Sequence, residues 1–88
     1  MKYTVRWSAV AEKRLAVLWM ETDDRSEVTA AANHIDRELA VRPDEAGESR
    51  DQGRRILLVP PLGALYRVHP ELQLVHVLTV WSFERKHE

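Results

Sequence analysis

The sequence predicts an α+β domain of order βααβββ, with one helix hairpin packed on one face of a four-stranded antiparallel sheet. Three observations predict it. Lys2 to Trp7 alternates polar and large apolar residues; two later segments carry apolar residues at helical spacing; and Arg54 to Trp81 holds three Val- and Leu-rich runs. The turn signals Pro60-Pro61-Leu62-Gly63 and Pro70-Glu71-Leu72-Gln73 separate those runs, which is the pattern of a three-stranded meander.

The elements follow in order. Tyr3, Val5 and Trp7 give the first strand one apolar face. Ser8 is placed to cap a helix, because its hydroxyl can accept a free backbone N–H. Ala11, Leu15, Leu18 and Trp19 then form a stripe that sets the first helix over Ala9 to Glu21. Thr22, Asp23 and Asp24 interrupt it and offer a second cap. Val28, Ala31, Ala32, Ile35 and Leu39 form the stripe of a second helix ending near Val41. The short linker and Ala30, Ala31 and Ala32 predict a close antiparallel hairpin. Val41 to Gly53 has many charges and no periodicity, and reads as a surface loop. The end of the chain, from Ser82, is polar and is expected to fray unless a partner orders it.

Composition narrows the class. The 88 residues make a single domain over 1–88. A hydrophobic fraction of 44% with 31% charged residues suits a folded domain rather than a disordered one. The formal net charge of −1 gives no global pull toward nucleic acid, so any such binding rests on a local basic patch. The absence of cysteine fits a reducing, cytoplasmic location. Neither an apolar signal core nor a membrane-length apolar run is present, so no membrane association is expected. The 3 glycines are not clustered, which leaves no phosphate-cradling loop. His34, Asp36 and Glu38 sit close together on a helix, but without further His or any Cys no metal site is expected; nor is any cofactor.

The sheet faces carry the functional argument. With four-residue loops, Val59 pairs with Ala64 and His69 with Leu74. One face then holds Leu57, Val59, Ala64, Tyr66, Val68, Val75, Val77, Thr79 and Trp81, and packs on the helices. The other holds Arg54, Ile56, Leu58, Leu65, Arg67, His69, Leu74, His76, Leu78 and Val80, joined by Arg6. In this register Arg67 faces His76, and Arg54 faces His69. Cations on an apolar ground mark a binding face; the plainer reading is apolar residues covered by a loop, with arginines snorkelling at the rim. Trp7, Trp19 and Trp81 fall on inferred buried faces, so they are assigned to core packing rather than base stacking. Tyr66 is likewise assigned to the core.

The ordered set Tyr3-Thr4-Val5-Arg6-Trp7-Ser8, Ala11 with Leu15 and Trp19, Ile35-Asp36 with Leu39, Pro43, Gly47, Arg54-Arg55-Ile56-Leu57, Pro61-Leu62-Gly63, Leu65-Tyr66-Arg67-Val68 and Val75-His76-Val77-Leu78 resembles the RelE/ParE superfamily of type II toxin–antitoxin toxins. The resemblance spans about residues 3–81. It implies a growth-inhibiting toxin, of the kind associated with plasmid stabilization, held inactive by a cognate antitoxin. RelE-like members cut messenger RNA on the ribosome; ParE-like members inhibit DNA gyrase. Two departures from the nuclease pattern favour the ParE-like mode. Gly63 or Ala64 stands where an early Arg is expected, and Ser82-Phe83 replaces a basic residue. A degenerate relative that only binds a partner is a third class.

Metal-free RNA cleavage needs a base for the 2′-hydroxyl proton, cations for the developing charge and an acid for the leaving oxygen. In that mode Arg54 and Arg67 would be the electrostatic stabilisers and His76 the base, with His87 an alternative. The plainer reading of His76 is a strand residue stacked near Arg67. Arg54-Arg55 reads evenly as a solvated pair flanking the loop or as a phosphate or acidic-partner contact. Arg6, Leu58, Leu65, Leu78, Arg85 and Lys86 are the expected partner-binding residues.

Overall fold

The computed structural model describes residues 2–83. Its elements are β1 (Thr4–Trp7), α1 (Ala9–Glu21), α2 (Arg25–Val41), α3 (Pro43–Ala46), β2 (Glu48–Ser49), β3 (Arg54–Val59), β4 (Leu62–His69) and β5 (Leu74–Ser82). The predicted α+β class, the helix hairpin and the meander are all present. The sheet, however, has five strands in the order β1-β5-β4-β3-β2, and it is mixed: β1 runs parallel to β5 while the other pairs are antiparallel. The four-stranded antiparallel expectation is corrected on both counts.

The helix boundaries follow from their caps. The Ser8 hydroxyl accepts from the Ala11 amide at 3.0 Å and itself donates to the Leu78 carbonyl at 2.8 Å, so one side chain starts α1 and ties it to β5. Asp24 starts α2 by accepting from the Glu27 amide at 3.1 Å. The Ser26 hydroxyl and that amide hold the Asp24 carboxyl below its ordinary value. Val28, Ala31, Ile35 and Leu39 turn inward from α2 and Ala11 from α1, to meet Leu57, Leu62, Ala64, Tyr66, Val75, Val77 and Val80 of the sheet. Leu15, Leu18 and Trp7 pack at the margin of this core. Trp19 does not join it: the residue is 41% exposed, its indole Nε1 donates to Thr29 at 3.1 Å, and the Arg25 guanidinium stacks 4.5 Å from the ring centre. The Trp19 stripe position lies at the edge of the apolar arc, where a hydrogen bond and a cation–π contact replace burial.

The segment expected as a loop is ordered. Pro43 begins the single turn α3, Gly47 passes against β3, and β2 adds two residues to the sheet edge. A Cβ at Gly47 would lie 2.4 Å from the Ile56 carbonyl oxygen and 2.7 Å from the Tyr66 hydroxyl, so only glycine permits this approach. Tyr66 secures the segment by donating to the Pro43 carbonyl at 2.8 Å, and Arg55 donates to the Gly47 carbonyl. Arg55 is thereby assigned to the helix side of the sheet, as an internal clamp rather than half of a solvated pair.

Two register details reshape the open face. The β3–β4 turn is Pro60-Pro61 alone, so Val59 pairs with Leu62 rather than Ala64. The shift is by two residues, which preserves the faces of β3 and β4 but changes partners: Arg54 stands opposite Arg67, not His69. Between β4 and β5 the pairing runs His69↔Leu74 and Arg67↔His76 as expected, then breaks: Tyr66 faces Val77 but Leu65 faces Thr79. Leu78 is the extra residue of a β-bulge. Beyond it the faces exchange. Val80 is fully buried, while Thr79 and Trp81, expected in the core, lie on the open side opposite Leu65 and Gly63.

Candidate functional site

The face of the sheet away from the helices carries a transverse row of basic side chains. Arg54 on β3 is the register partner of Arg67 on β4; Arg67 is the partner of His76 on β5; His76 is the partner of Arg6 on β1. Four basic side chains from four strands thus stand side by side. The two ion pairs among the described residues are Arg42–Glu38 and Arg50–Glu48, so no carboxylate pairs with any member of the row.

Two backbone carbonyls partly satisfy the row. The turn Asp51–Gly53 bends back through left-handed conformations at Gln52 (φ 63°) and Gly53 (φ 73°). It presents the Asp51 carbonyl to Arg54 Nε at 3.2 Å and the Gln52 carbonyl to Arg67 Nη2 at 2.9 Å. Each guanidinium has five N–H donors, so most remain unused. Arg67 Nε is buried without a partner among the described residues. A buried donor left unmade is costly, and Arg55 Nε on the helix side shares that state. Carbonyl contacts also fix the two side chains, which lowers the ordering cost of binding.

His69 lies on the same face, two residues beyond Arg67 and opposite Leu74. It is the diagonal neighbour of His76, at the roughly 7–8 Å such pairs share. Two half-buried histidines therefore flank Arg67. On the other side of the row, Ser49, Arg50, Asp51, Arg54, Ile56 and Leu65 line a shallow depression. Further along, Trp81 lies over Gly63.

The expected catalytic residues Arg54, Arg67 and His76 are brought together, and Arg6 completes their row. Of the expected partner-binding residues, Leu58 is 55% exposed and Leu65 half-buried on this face, and Leu78 is half-buried at the bulge. Arg85, Lys86 and the alternative base His87 lie outside the described residues. Sequence reasoning assigned no role to His69, although its place two residues from Arg67 was a usable signal. Trp81 was misplaced because no residue pattern announced the bulge. Among the described residues no group of three His, Cys, Asp or Glu side chains converges on one point, and no helix is long and apolar enough to cross a membrane.

No protein-family model matches the chain, and no curated protein is significantly similar to it in sequence. Solved structures are similar in fold. A chain of the toxin–antitoxin complex RelBE2 from Mycobacterium tuberculosis superposes with a TM-score of 0.78 at 24% identity, covering 93% of this chain and 92% of that one. The isolated RelE toxin of E. coli gives 0.67 at 18% identity, over 96% of this chain and 87% of that one. A chain of the chromosomal ParDE toxin–antitoxin system of P. aeruginosa gives 0.65 at 19%, over 94% and 98%. With its helix hairpin, its meander and its near-complete superposition on these structures, the chain has the RelE/ParE toxin fold.

Proposed function

We propose that this chain is the toxin of a bacterial toxin–antitoxin pair and that it acts in the cytoplasm through its open sheet face on RNA. The carrying observation is the row Arg54–Arg67–His76–Arg6, without an ion-pair partner among the described residues and with Arg54 and Arg67 held by the Asp51–Gly53 turn. Such a row suits a phosphate backbone, where cations supply affinity and register. The fold is shared with chains of toxin–antitoxin complexes, which supports a proteinaceous antitoxin as the neutralising partner.

The chemistry proposed is transphosphorylation. His76 takes the proton of a 2′-hydroxyl, whose oxygen attacks the adjacent phosphorus. Arg67 and Arg54 offset the charge that develops on the non-bridging oxygens. His69, two residues along β4 from Arg67, donates a proton to the departing 5′-oxygen. The products are a 2′,3′-cyclic phosphate and a free 5′-hydroxyl, and no cofactor is consumed.

One observation favours a second reading, inhibition of DNA gyrase without cleavage. The position where nuclease relatives are expected to carry an early Arg is Gly63 or Ala64, and at Gly63 Trp81 fills the space a side chain would need. Induced expression alone and with the adjacent reading frame, followed by primer extension on cellular messages, separates the two. Codon-phased cuts suppressed by the neighbouring protein are the expected result. Growth arrest with a DNA-damage response and no cuts would replace the ribonuclease by the gyrase inhibitor. No arrest would leave a degenerate binder.

A further inference from the structure

We propose that Trp81 is a base-stacking platform: a single-stranded nucleic acid whose phosphates occupy the cation row lays one base on the outer face of the indole. This rests on the reading of the open face as an RNA site and adds to it a contact that recognises bases rather than phosphates.

The platform is built by two features of the fold. The bulge at Leu78 turns Trp81 from the helix side to the open side. Gly63, its register partner, has no side chain, and the indole lies across it: a Cβ there would come within 2.5–2.7 Å of Cε2, Cζ2 and Nε1. The ring therefore rests directly on the β4 backbone, as aromatic residues do when they cover a strand glycine. One face is held by the sheet, and the residue as a whole is only half-buried. The indole Nε1 makes no hydrogen bond among the described residues. Unlike Trp7 and Trp19, whose indole N–H groups are bound to Asp36 and Thr29, Trp81 is not tied to a neighbour.

The spacing suits a short strand. Along β4 the row at Arg67 and the platform at Gly63 are four residues apart, about 13 Å at the usual rise per residue. Leu65 and Ile56 lie between them with Thr79, a weakly polar floor without fixed charge. A site of cations at one end and a partly accessible ring at the other is the common arrangement for single strands, in which stacking tolerates any base. A protein segment docking on the same surface is the rival occupant. The row favours nucleic acid because its three arginines match a repeating phosphate charge.

The test uses fluorescence anisotropy with a labelled hexathymidylate deoxyoligonucleotide, which lacks the 2′-hydroxyl and so cannot be cut by transphosphorylation. The companion probe is the same hexamer carrying abasic residues. Wild-type protein should bind the abasic probe roughly ten- to a hundredfold more weakly than the normal one. Trp81→Leu should bind both probes equally, at the wild-type abasic level, with an unchanged salt dependence; Trp81→Phe should recover part of the difference. The abasic comparison on wild-type protein needs no variant and stands even where a substitution impairs folding. If wild type and Trp81→Leu do not distinguish the probes while Arg67→Gln weakens both, the cation row stands and the platform is wrong. If Trp81→Leu impairs only binding of the co-purified antitoxin, the ring belongs to a protein interface and the platform is wrong. If neither probe binds wild type at low salt, the nucleic-acid reading of the face fails with it.

Discussion

Arg54 and Arg67 are direct register partners across β3 and β4, so two guanidiniums of like charge stand side by side, neither paired with a carboxylate among the described residues. Like charges directly opposite each other destabilise a sheet, by amounts comparable to the 0.2–1 kcal/mol that favourable pairs contribute. A fold tolerates this where the pair has a use. Arg54→Gln relieves the repulsion but loses the bond to the Asp51 carbonyl, so stability in a urea melt should change by less than about 0.5 kcal/mol. Affinity for a single-stranded oligonucleotide should fall, and the log–log salt slope should flatten by about 0.7, the value for one lost phosphate contact on a single strand. A large loss of stability with an unchanged slope would assign Arg54 to the Asp51–Gly53 turn alone.

Tyr66 ties the fold to pH at the alkaline end. Its hydroxyl is buried against α3, which raises its pKa above the ordinary value, although the Arg55 guanidinium partly counters this. The unfolded chain ionises its tyrosines near pH 10. Above that pH the unfolded state has released a proton that the native state retains, so stability present below about pH 10 is lost as pH rises toward the folded pKa. Tyr66→Phe should remove this alkaline decline. It should also cost about 0.5–1.5 kcal/mol at neutral pH, because the Pro43 carbonyl loses its donor. Urea melts at pH 7 and pH 10.5 on both proteins measure the two effects; an equal alkaline decline in Tyr66→Phe would place its origin elsewhere.

Much of this architecture was legible in the residues, for reasons that show where legibility stops. Ser8 and Asp24 mark helix starts because capping is a local hydrogen bond between near neighbours. Arg67 opposite His76 followed from the Pro70–Gln73 turn, because a turn fixes the pairs next to it. The bulge at Leu78 is different. It arises where β5 passes from pairing with β1 to contact with Ser8 and α1, a tertiary circumstance that no alternation of side chains encodes. A single extra residue then reversed Thr79, Val80 and Trp81. β2 was hidden for a similar reason: it has only two residues and depends on the close approach of Gly47 to β3, not on its own propensity. The cation row was therefore readable, whereas the aromatic end of the same face was not.

The reversal at the bulge predicts a specific mutational pattern. Val77 and Val80 are both fully buried although they are three residues apart on one strand, a spacing that regular alternation places on opposite faces. Val77→Ala and Val80→Ala should each cost about 1–3 kcal/mol through lost burial and a residual cavity. Without the bulge, Val80→Ala would be a surface change within about 0.5 kcal/mol. Denaturant midpoints of the two variants decide between these, and a silent Val80→Ala would return Trp81 to the core.

The functional face is tested most directly by removing its centre. Arg67 sits between Arg54 and His76 at the centre of the row. Arg67→Ala should lower cleavage by about 10²–10³, the usual loss when one preorganised donor to a developing charge is removed. His76→Ala removes the proton acceptor and should cost about 10²–10⁴. Both losses should abolish growth arrest while leaving antitoxin binding measurable, because the antitoxin also has the exposed apolar surface at Leu58 to engage. If the chain instead inhibits gyrase, cutting is absent in every variant and Arg67→Ala weakens inhibition only by its contribution to binding. A double variant Arg67→Ala, His76→Ala that remains folded and fully toxic would remove the cation row from the mechanism, since neither cleavage nor phosphate binding there survives the loss of both groups.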